Sequence, residues 1–428
     1  MAVTRRQLLE SGGLLAAGVF IGQAQGVSRL ANEELQVGVI GVGNHGATNL
    51  AAIADKAQVV ALCDVDETYL DPAAAQHPRA KRFRDLRDLL ELPGLDAVLI
   101  STPDHTHVFT ALRAMERGLH VFCEKPLTHT VDELHRLVAS AAAKKVVTQT
   151  GMQHHVRSGT RDAAAVLRAG ILGEIEAIHA WTSRPIWPQG IERPREVEAA
   201  PAALTWDLWL GPAAARPYSA AYHPLRWRGW HAFGSGALGD FGPHLLDAVF
   251  WGLELRAPTG IVAESTELPE ETYPKASVIT FTFAETDRQP ETKLLWYDGG
   301  RVPGKEVTGV ERPPPNGVMV VGTRGKLFIP DYGRAPKLLD MKERDKLPTP
   351  LAAPADLHQD WVDACRAGRP ACMPFASAAP LMETCLLGNV ALRSKAKVTW
   401  DAARRKATPD QANALLTHEY RADWELPR

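Results

Sequence analysis

The chain has 428 residues, which is long enough for two domains with separate hydrophobic cores. Its composition, 45% hydrophobic and 23% charged, is ordinary for a globular enzyme, and its formal net charge of -2 provides no electrostatic attraction to nucleic acid or an anionic membrane. Neither is therefore expected as a partner. The sequence has no CxxC pair and no HExxH motif, and no metal site is predicted.

The N-terminus has the pattern of an export signal. Residues 4–9 contain the pair Arg5 and Arg6, and an uncharged apolar stretch too short for a comfortable membrane span follows. This order indicates the twin-arginine route, so residues 1–31 are predicted to be the signal and its linker. The protein is then expected in the periplasm or otherwise exported. An ordinary basic helix or a lipid-facing anchor is the alternative.

Residues 35–150 alternate between predicted strands and predicted helices. Apolar runs typical of buried strands occupy residues 35–40, 59–63, 97–100, 119–123 and 146–149. Helical patterns occupy residues 47–54, 86–90, 109–117 and 131–143. This alternation predicts an α/β Rossmann dinucleotide-binding domain with a parallel sheet and right-handed crossovers.

The pattern changes near residue 151. Residues 276–283, 293–296 and 317–321 alternate as half-exposed strands, and helical periodicity returns at residues 357–365 and 377–393. Residues 151–428 are predicted to form an α+β domain for substrate binding and oligomerisation, with a large open, mainly antiparallel sheet. Its C-terminal helices could pack back on the first domain.

A glycine-rich turn follows the first predicted strand. Gly41, Gly43 and Gly46 match G-x-G-x-x-G, with Asn44 and His45 between the last two glycines. Glycines at these positions permit a tight turn and a close approach of the backbone to a pyrophosphate at the helix N-terminus. A plain βαβ turn without a nucleotide is the alternative.

Two acids follow the second predicted strand. Asp64 ends that strand, at the spacing expected of an acid that binds a ribose 2′-hydroxyl. Asp66 adds a second negative charge, and no Arg or Lys stands nearby in the sequence, so a 2′-phosphate would be repelled. The predicted cofactor is NAD rather than NADP.

The segment Glu124-Lys125-Pro126 follows the fourth of the predicted apolar runs. The carboxyl ends of parallel strands meet in the crevice where open α/β sheets bind their ligands. Lys125 at that position could hold a substrate hydroxyl beside a nicotinamide. The earlier segment 101–107 follows the preceding strand, where its hydroxyls could face the nicotinamide ribose or serve only as a turn and helix cap.

After Lys125, the second group of candidate reactive residues is the pair Asp240 and His244. Their spacing of four residues places both on one face of a helical turn. The carboxylate could orient the imidazole and leave it as a proton acceptor. An N-capping Asp with a buried His is the alternative interpretation.

Together these motifs resemble the glucose–fructose oxidoreductase / inositol dehydrogenase (Gfo/Idh/MocA) family. The resemblance rests on the turn at residues 41–46, on Glu124-Lys125-Pro126 and on the D-x-G-x-H of residues 240–244, with Trp227-Arg228 upstream. It extends from about residue 35 to about residue 393.

The resemblance implies a role for each position. Lys125 would bind the reacting hydroxyl and help to carry its proton, its peptide bond to Pro126 being cis, while His244 would be the general acid/base and Asp240 its partner. A base with a pKa near neutral would contribute about 10²–10⁴-fold to the rate, and His suits this better than Lys, whose unperturbed pKa is about 10.4. The implied cofactor contacts are Gly41, Gly43, Asn44, His45, Gly46, Asp64, Thr102, Pro103, His107, Glu124, Lys125, Gln153, Trp227 and Arg228.

The chain departs from the family after the last predicted strand of the first domain. Many members carry Arg-Arg or Asn-Arg where this sequence has Gln153 and His154. These two are predicted to contact the substrate together with Lys125, Asp240 and His244, although surface positions are equally open. Trp181 begins a tryptophan-rich stretch and is predicted to line a sugar site, with core packing or a subunit interface as the alternatives.

The leading hypothesis is an exported NAD-dependent oxidoreductase that acts on a hydroxyl of a sugar or glycoside. Because free nicotinamide cofactor should be scarce outside the cytoplasm, the cofactor is expected to be tightly held and recycled by a second substrate. The alternatives are an NAD-dependent glycoside hydrolase working through transient sugar oxidation and elimination, and a non-catalytic sugar-binding protein. A homo-oligomer, dimer or tetramer, is also expected.

Overall fold

The computed structural model describes residues 34–340 and 348–427. The predicted export signal, residues 1–31, lies outside the described residues.

The first domain is a Rossmann fold, as predicted. Its six parallel strands lie in the order β3-β2-β1-β4-β5-β6. The strands are β1 Gln36–Ile40, β2 Gln58–Cys63, β3 Lys81–Phe83, β4 Ala97–Ile100, β5 His120–Glu124 and β6 Thr148–Gly151. The helices are α1 His45–Ala54, α2 Glu67–Gln76, α3 Leu86–Leu90, α4 Asp104–Glu116 and α5 Val131–Lys144. The strand order reverses between β1 and β4, which is where such sheets bind their ligands.

Two elements of this domain were missed by the sequence analysis. Helix α2 buries only Leu70 and Ala73, so its apolar stripe is too narrow to give a clear helical period. Strand β3 is a three-residue edge strand whose Lys81 and Arg82 are exposed, and it carries no buried apolar run. Both elements depend on contacts with the rest of the sheet.

The second domain contains a nine-stranded sheet in the order β13-β12-β11-β7-β10-β9-β8-β14-β15. Only β7 and β10 pair in parallel, which confirms the mainly antiparallel sheet. Its strands are β7 Ile175–Trp181, β8 Gly260–Ser265, β9 Ser277–Phe283, β10 Thr292–Tyr297, β11 Gly317–Gly322, β12 Gly325–Pro330, β13 Lys337–Leu339, β14 Val398–Asp401 and β15 Lys406–Thr408. The helices are α6 Ser158–Arg168, α7 Trp206–Leu210, α8 Gly236–Leu253, α9 Lys305–Thr308, α10 Leu357–Ala367, α11 Phe375–Ser394 and α12 Asp410–Asn413.

Two late helices hold the domains together. Helix α10 returns to the first domain, where Leu357 and Trp361 join the same buried cluster as Val37 and Val39 of β1. Helix α11 is long and apolar enough to cross a membrane, but most of its residues are buried inside the protein, as expected for a core helix. The first domain is therefore completed by residues far along the chain.

The tryptophan-rich stretch forms a small core of its own. Trp209, Trp227, Trp230 and Phe233 are buried together in one cluster. Trp181 is fully buried elsewhere, its ring centroid 5.9 Å from that of Phe328 and its indole N–H bonded to the Pro314 carbonyl at 2.7 Å. The predicted contact of Trp181 with substrate is therefore corrected to core packing, because both its apolar face and its N–H already have protein partners.

Candidate active site

A cavity of about 480 Å³ lies at the C-terminal edge of the first sheet and is closed by residues of the second domain. The ends of β1, β4 and β5 all contribute to its wall, as expected at the switch point of the strand order. One end contains Asp64 and Tyr69, and the other contains Lys125 and His244. The site can thus hold an elongated ligand between the two domains.

The glycine-rich turn is shaped for a ligand that approaches the backbone closely. Gly41 has a φ of +83°, which disfavours any side chain. A Cβ on Gly46 would lie 2.1 Å from the Gly41 carbonyl oxygen, and one on Gly43 would lie 2.6 Å from the ring of Tyr69. Because α1 begins directly after the turn at His45, its N-terminus faces the cavity, and the residues present fit the pyrophosphate of a dinucleotide.

Asp64 closes this end of the cavity. Its carboxylate accepts hydrogen bonds from the backbone N–H groups of Val42, at 2.9 Å, and Asp66, at 3.1 Å. Burial raises the pKa of Asp64, and these two hydrogen bonds oppose that effect. The acid thus ties the strand end to the glycine turn, in the position of a ribose-binding carboxylate.

The second acid has a structural role. Asp66 caps α2 and accepts a hydrogen bond from the His223 ring at 2.8 Å. Arg84 also lines the cavity, so a cation is present at this end although the sequence suggested none. Its guanidinium is already paired with Glu67 at 3.2 Å and with the carbonyl of Ala203 at 3.2 Å.

Of the three predicted contacts that follow β4, two line the cavity. Thr102 and Pro103 do so, and the Thr102 hydroxyl accepts a hydrogen bond from Thr106. His107 instead lies buried behind the wall, with one ring nitrogen 2.8 Å from the Thr102 carbonyl and the other 2.8 Å from the Pro126 carbonyl. It joins the ends of β4 and β5 rather than facing the cavity.

Glu124 accepts the hydrogen bonds that join three segments: α1, the end of β5 and the residues after β6. One carboxylate oxygen accepts from Asn49 at 2.9 Å, from Gln153 at 2.5 Å and from His45 at 3.2 Å. Burial opposes ionisation of Glu124, but the bond and charge of His45 outweigh it, so the pKa is lowered. The bond to Glu124 in turn raises the pKa of His45. The predicted cofactor contacts Glu124, His45 and Gln153 are thus brought together.

Asn49 was missed by the sequence analysis. Its side chain also donates to the Ser101 hydroxyl at 2.9 Å and bonds the His358 ring of α10 at 3.1 Å. A buried Asn inside a helix gives no sequence signal on its own, since its importance depends on which strand ends it meets.

Lys125 and Asp240 meet across the two domains. The Lys125 ammonium donates to the Asp240 backbone carbonyl at 2.7 Å and to its carboxylate at 3.2 Å. Arg184 and Arg228 approach the same carboxylate, each at 3.3 Å. Burial raises the pKa of Asp240, but the charges of Lys125, Arg228 and Arg184 outweigh it and hold the pKa below the ordinary value. Asp240 is therefore ionised and surrounded by three cations.

His244 lines the same end of the cavity, one turn along α8 from Asp240. The predicted orientation of the imidazole by the carboxylate is not observed: within the described ranges the Asp240 carboxylate contacts only cations, and Nδ1 of His244 has no hydrogen-bond partner. Burial and the charge of Lys125 hold the pKa of His244 well below 6.5. The sequence predicted a base with a near-neutral pKa, whereas burial in the folded protein lowers the pKa of this imidazole.

The segment after β6 contributes a second imidazole. His154 lies with its ring centroid 4.4 Å from that of His244, and burial together with Arg157 lowers its pKa to about 4. Arg157 and Tyr332, both missed by the sequence analysis, complete this end of the wall. Tyr332 has a positive φ of 56° in a short 3₁₀ turn, which the sequence does not signal.

Trp227 and Arg228 lie where the resemblance predicted them, in the wall contributed by the second domain. The Arg228 guanidinium stacks 4.3 Å from the Trp227 ring centre, which orients it toward Asp240. Among residues 34–340 and 348–427, no group of three His, Cys, Asp or Glu side chains is arranged to hold a metal ion.

Known proteins resemble this chain in both domains. Residues 35–152 match the Gfo/Idh/MocA model described as an oxidoreductase family, NAD-binding Rossmann fold. Residues 174–426 match the model for the C-terminal alpha/beta domain of that oxidoreductase family.

Two curated relatives align over part of the chain. An inositol 2-dehydrogenase from Ralstonia nicotianae is 34% identical over 156 residues, 35% of this chain and 46% of the relative. A glycosyl hydrolase family 109 protein from Shewanella pealeana is 32% identical over 209 residues, 41% of this chain and 45% of the relative. The chain thus spans somewhat less than half the length of these relatives.

Solved structures share the fold over most of the chain. The WlbA dehydrogenase from Bordetella pertussis, in complex with NADH and UDP-GlcNAcA, superposes with a TM-score of 0.61 at 16% identity and covers 86% of this chain and 98% of its own. An aldose-aldose oxidoreductase from Caulobacter crescentus gives a TM-score of 0.57 at 15% identity and covers 86% and 100%. With the two family matches, which together span nearly all of the described residues, the chain belongs to the Gfo/Idh/MocA family of NAD-binding oxidoreductases.

Proposed function

We propose that this protein oxidises a hydroxyl group of a sugar or glycoside. The observation that carries the proposal is that Lys125 and His244 line one end of a cavity whose other end is shaped for a dinucleotide. NAD, when bound, supplies the acceptor for the hydride that leaves the carbinol carbon. Relatives named inositol 2-dehydrogenase support a polyhydroxylated substrate.

Lys125 is placed to hold the reacting hydroxyl. An ammonium has three N–H donors, and Asp240 takes two of them through its carbonyl and its carboxylate. The third is left to donate to a substrate oxygen. Because the Asp240 carboxylate is ionised, it also orients the ammonium and balances part of its charge.

His244 is the proton acceptor in this scheme. Its lowered pKa keeps the imidazole neutral at pH 7, so that a ring nitrogen can accept a proton, and Nδ1 has no other partner among the described residues. The same burial and nearby charge make the imidazole a weaker base in the free protein than an exposed His. A bound group that offset the charge of Lys125 would strengthen it.

A panel of sugars and glycosides tests the oxidoreductase. With NAD, keto-sugar formation should accompany nicotinamide reduction, and Lys125→Ala should reduce turnover by about 10²-fold or more because the hydroxyl loses its donor. Lys81→Ala is the matched control, since Lys81 is exposed on the edge strand β3. Full activity in Lys125→Ala would remove Lys125 from the mechanism, whereas binding of a sugar without any product from the wild type would favour a sugar-binding role without catalysis.

A second function is favoured by one of the relatives. The glycosyl hydrolase family 109 protein aligns over 209 residues, the longer of the two alignments described above. In that case oxidation beside the glycosidic bond would be transient and elimination would release the aglycone. Release of the aglycone from an aryl glycoside without net nicotinamide reduction would support the glycosidase and contradict the dehydrogenase.

Export and cofactor retention belong to the same proposal. The paired Arg5 and Arg6 support twin-arginine export, which carries folded proteins, so the cofactor would be loaded before export and then recycled by a second substrate. Denaturing the purified protein should release about one nucleotide per chain, and a supernatant without nucleotide would contradict retention. Cell fractionation of an Arg5→Lys, Arg6→Lys variant tests export, and light scattering tests the expected dimer or tetramer.

A further inference from the structure

The substrate end of the cavity carries more positive charge than its acids balance. Lys125, Arg184 and Arg228 all face the single carboxylate of Asp240, at 3.2 to 3.3 Å. None of the three forms an ion pair with another carboxylate in the described part of the chain. At least two positive charges are therefore unbalanced around one acid.

Arg157 adds a further cation at the same end. It lies in the cavity wall with His154 and Tyr332, its residue is exposed, and its guanidinium forms no ion pair within residues 34–340 and 348–427. Its aliphatic part packs beside Gly333, where an added Cβ would lie 2.6 Å from the Cβ of Arg157. The side chain is thus held at the rim while its charge stays available.

Other acids of the cavity do not cancel this surplus. Glu124 is engaged with His45 at 3.2 Å, and Asp64 lies at the opposite end with Tyr69. Asp104 lies nearer, but burial raises its pKa, and it pairs with none of the cations. Even with Arg228 assigned to the cofactor, Lys125 and Arg184 share the one carboxylate of Asp240, and Arg157 lies in the same cavity wall without an ion pair among the described residues.

We propose that the substrate of this site carries an anionic group, a carboxylate or a phosphate, which Arg157 and Arg184 bind. The proposal rests on the sugar oxidoreductase proposed above and specifies its substrate class. A planar guanidinium presents paired N–H donors that match either anion, and such pairs are shorter and stronger than neutral hydrogen bonds. The cations that the apoprotein leaves unbalanced would then gain their partner from the substrate.

The anion would also improve the proton acceptor. Lys125 is the leading charge that disfavours protonated His244, after burial. A negative group bound near these cations offsets that charge and raises the pKa of the imidazole toward neutrality. An acidic substrate would thus make His244 a stronger base when it binds, and a neutral sugar would not.

Matched pairs of sugars test the proposal on the NAD-loaded protein. The probes are glucuronate against glucose, galacturonate against galactose, and glucose 6-phosphate as the phosphate arm. Binding is measured by calorimetry and turnover by kcat/KM. We expect at least one acidic probe to bind about tenfold or more tightly than its neutral partner. Comparing the two uronates with glucose 6-phosphate shows whether a carboxylate or a phosphate is preferred.

The variant Arg157→Gln separates anion binding from a structural role. It should weaken binding of the preferred acidic probe by roughly 10–100-fold and change the affinity for the neutral sugar by less than about twofold. The unfolding midpoint should stay unchanged, because Arg157 is exposed. Arg157→Lys should recover part of the lost affinity, because lysine restores the positive charge but not the paired N–H donors of a guanidinium. The matched control is Arg226→Gln, an exposed arginine outside the cavity wall, which should alter neither probe.

Three outcomes would overturn the inference: neutral sugars binding as well as acidic ones, no binding by any acidic probe, or equal losses for both probes in Arg157→Gln. Tight, Arg157-dependent binding of an acidic probe without nicotinamide reduction or aglycone release would instead contradict the proposed function and leave the anion site standing.

Discussion

Asp240→Asn is the sharpest perturbation of the site. The substitution keeps the shape of the side chain and the backbone carbonyl that accepts from Lys125 at 2.7 Å. It removes the negative charge that faces Lys125, Arg184 and Arg228. Three cations then remain close together without the carboxylate that separates them.

The loss of unfolding free energy in Asp240→Asn depends on how exposed the Asp240 side chain and its partners are. Removing one partner of a fully buried ion pair costs about 3–5 kcal/mol, whereas an exposed pair contributes about 0–1 kcal/mol. The Asp240 side chain is 16% exposed and its three partners are 12–24% exposed, which places the cluster between these limits. The expected loss of unfolding free energy is about 1.5–3 kcal/mol, which is close to the contribution of hydrogen bonds to a charged group.

The stability difference between wild type and Asp240→Asn should depend on pH. The pKa of Asp240 is lowered in the folded protein, so the stabilisation by its charge is complete above the unfolded value of about 3.9 and is lost as the pH falls through the folded pKa. The gap between wild type and Asp240→Asn should be constant from about pH 8 to pH 5 and shrink below about pH 4. Urea unfolding at each pH measures it.

Asp207→Asn is the matched control. Asp207 is 75% exposed and pairs with Arg421, so its loss should cost about 0–1 kcal/mol. Equal stability of Asp240→Asn and wild type at pH 7, or a gap that widens toward acid pH, would refute the assignment of Asp240 as the ionised centre of the cation cluster. In kinetics, kcat/KM should fall about 10²-fold because Lys125 loses its orienting partner.

Three further predictions concern the rest of the site. Denatured Gly46→Ala should release no nucleotide, because its Cβ would lie 2.1 Å from a backbone carbonyl, whereas denatured Gly260→Ala, whose Cβ would make ordinary contacts from 3.8 Å, should release as much as the wild type. Asp247→Asn should cost roughly 1.5–3 kcal/mol in urea unfolding, since both carboxylate oxygens lie 3.1 Å from Nδ1 of the buried His155, and a loss below about 0.5 kcal/mol would contradict this. The lowered pKa of His244 should keep kcat/KM level from pH 8 to about pH 6, with a decline only in more acidic solution, and a midpoint above 6.5 would exclude His244 as the free-enzyme base.

The features predicted correctly from the sequence depend on local patterns. Strands β1, β2, β4 and β5 of the first sheet contain short apolar runs, since both faces of a parallel sheet are covered. The glycine turn could be placed because a strand precedes it and α1 follows it, and Glu124-Lys125-Pro126 because it follows the run of β5. Such features require no knowledge of distant residues.

The features that were missed depend on contacts between distant segments. Asn49 and His358 are 309 residues apart, and Lys125 and Asp240 are 115 apart, so no local pattern pairs them. Trp181 was instead predicted to contact substrate and lies in the core. An aromatic side chain near Arg and Pro has the same local sequence in a core as in a sugar site. Its burial depends on Phe328, from a strand far along the chain.

The spacing of Asp240 and His244 shows what a helical period can and cannot predict about side-chain contacts. Four residues place two side chains on one face of α8, but the period does not determine which partner each one finds. Three cations reach the carboxylate first, so Asp240 remains an anion and fixes Lys125, while the charge of Lys125, added to burial, keeps His244 unprotonated. Asp240 therefore influences the imidazole through Lys125 rather than through a bond of its own. For this reason, the proton affinity of His244 should respond to any anion that enters the cluster, and the charge of the substrate becomes part of the mechanism.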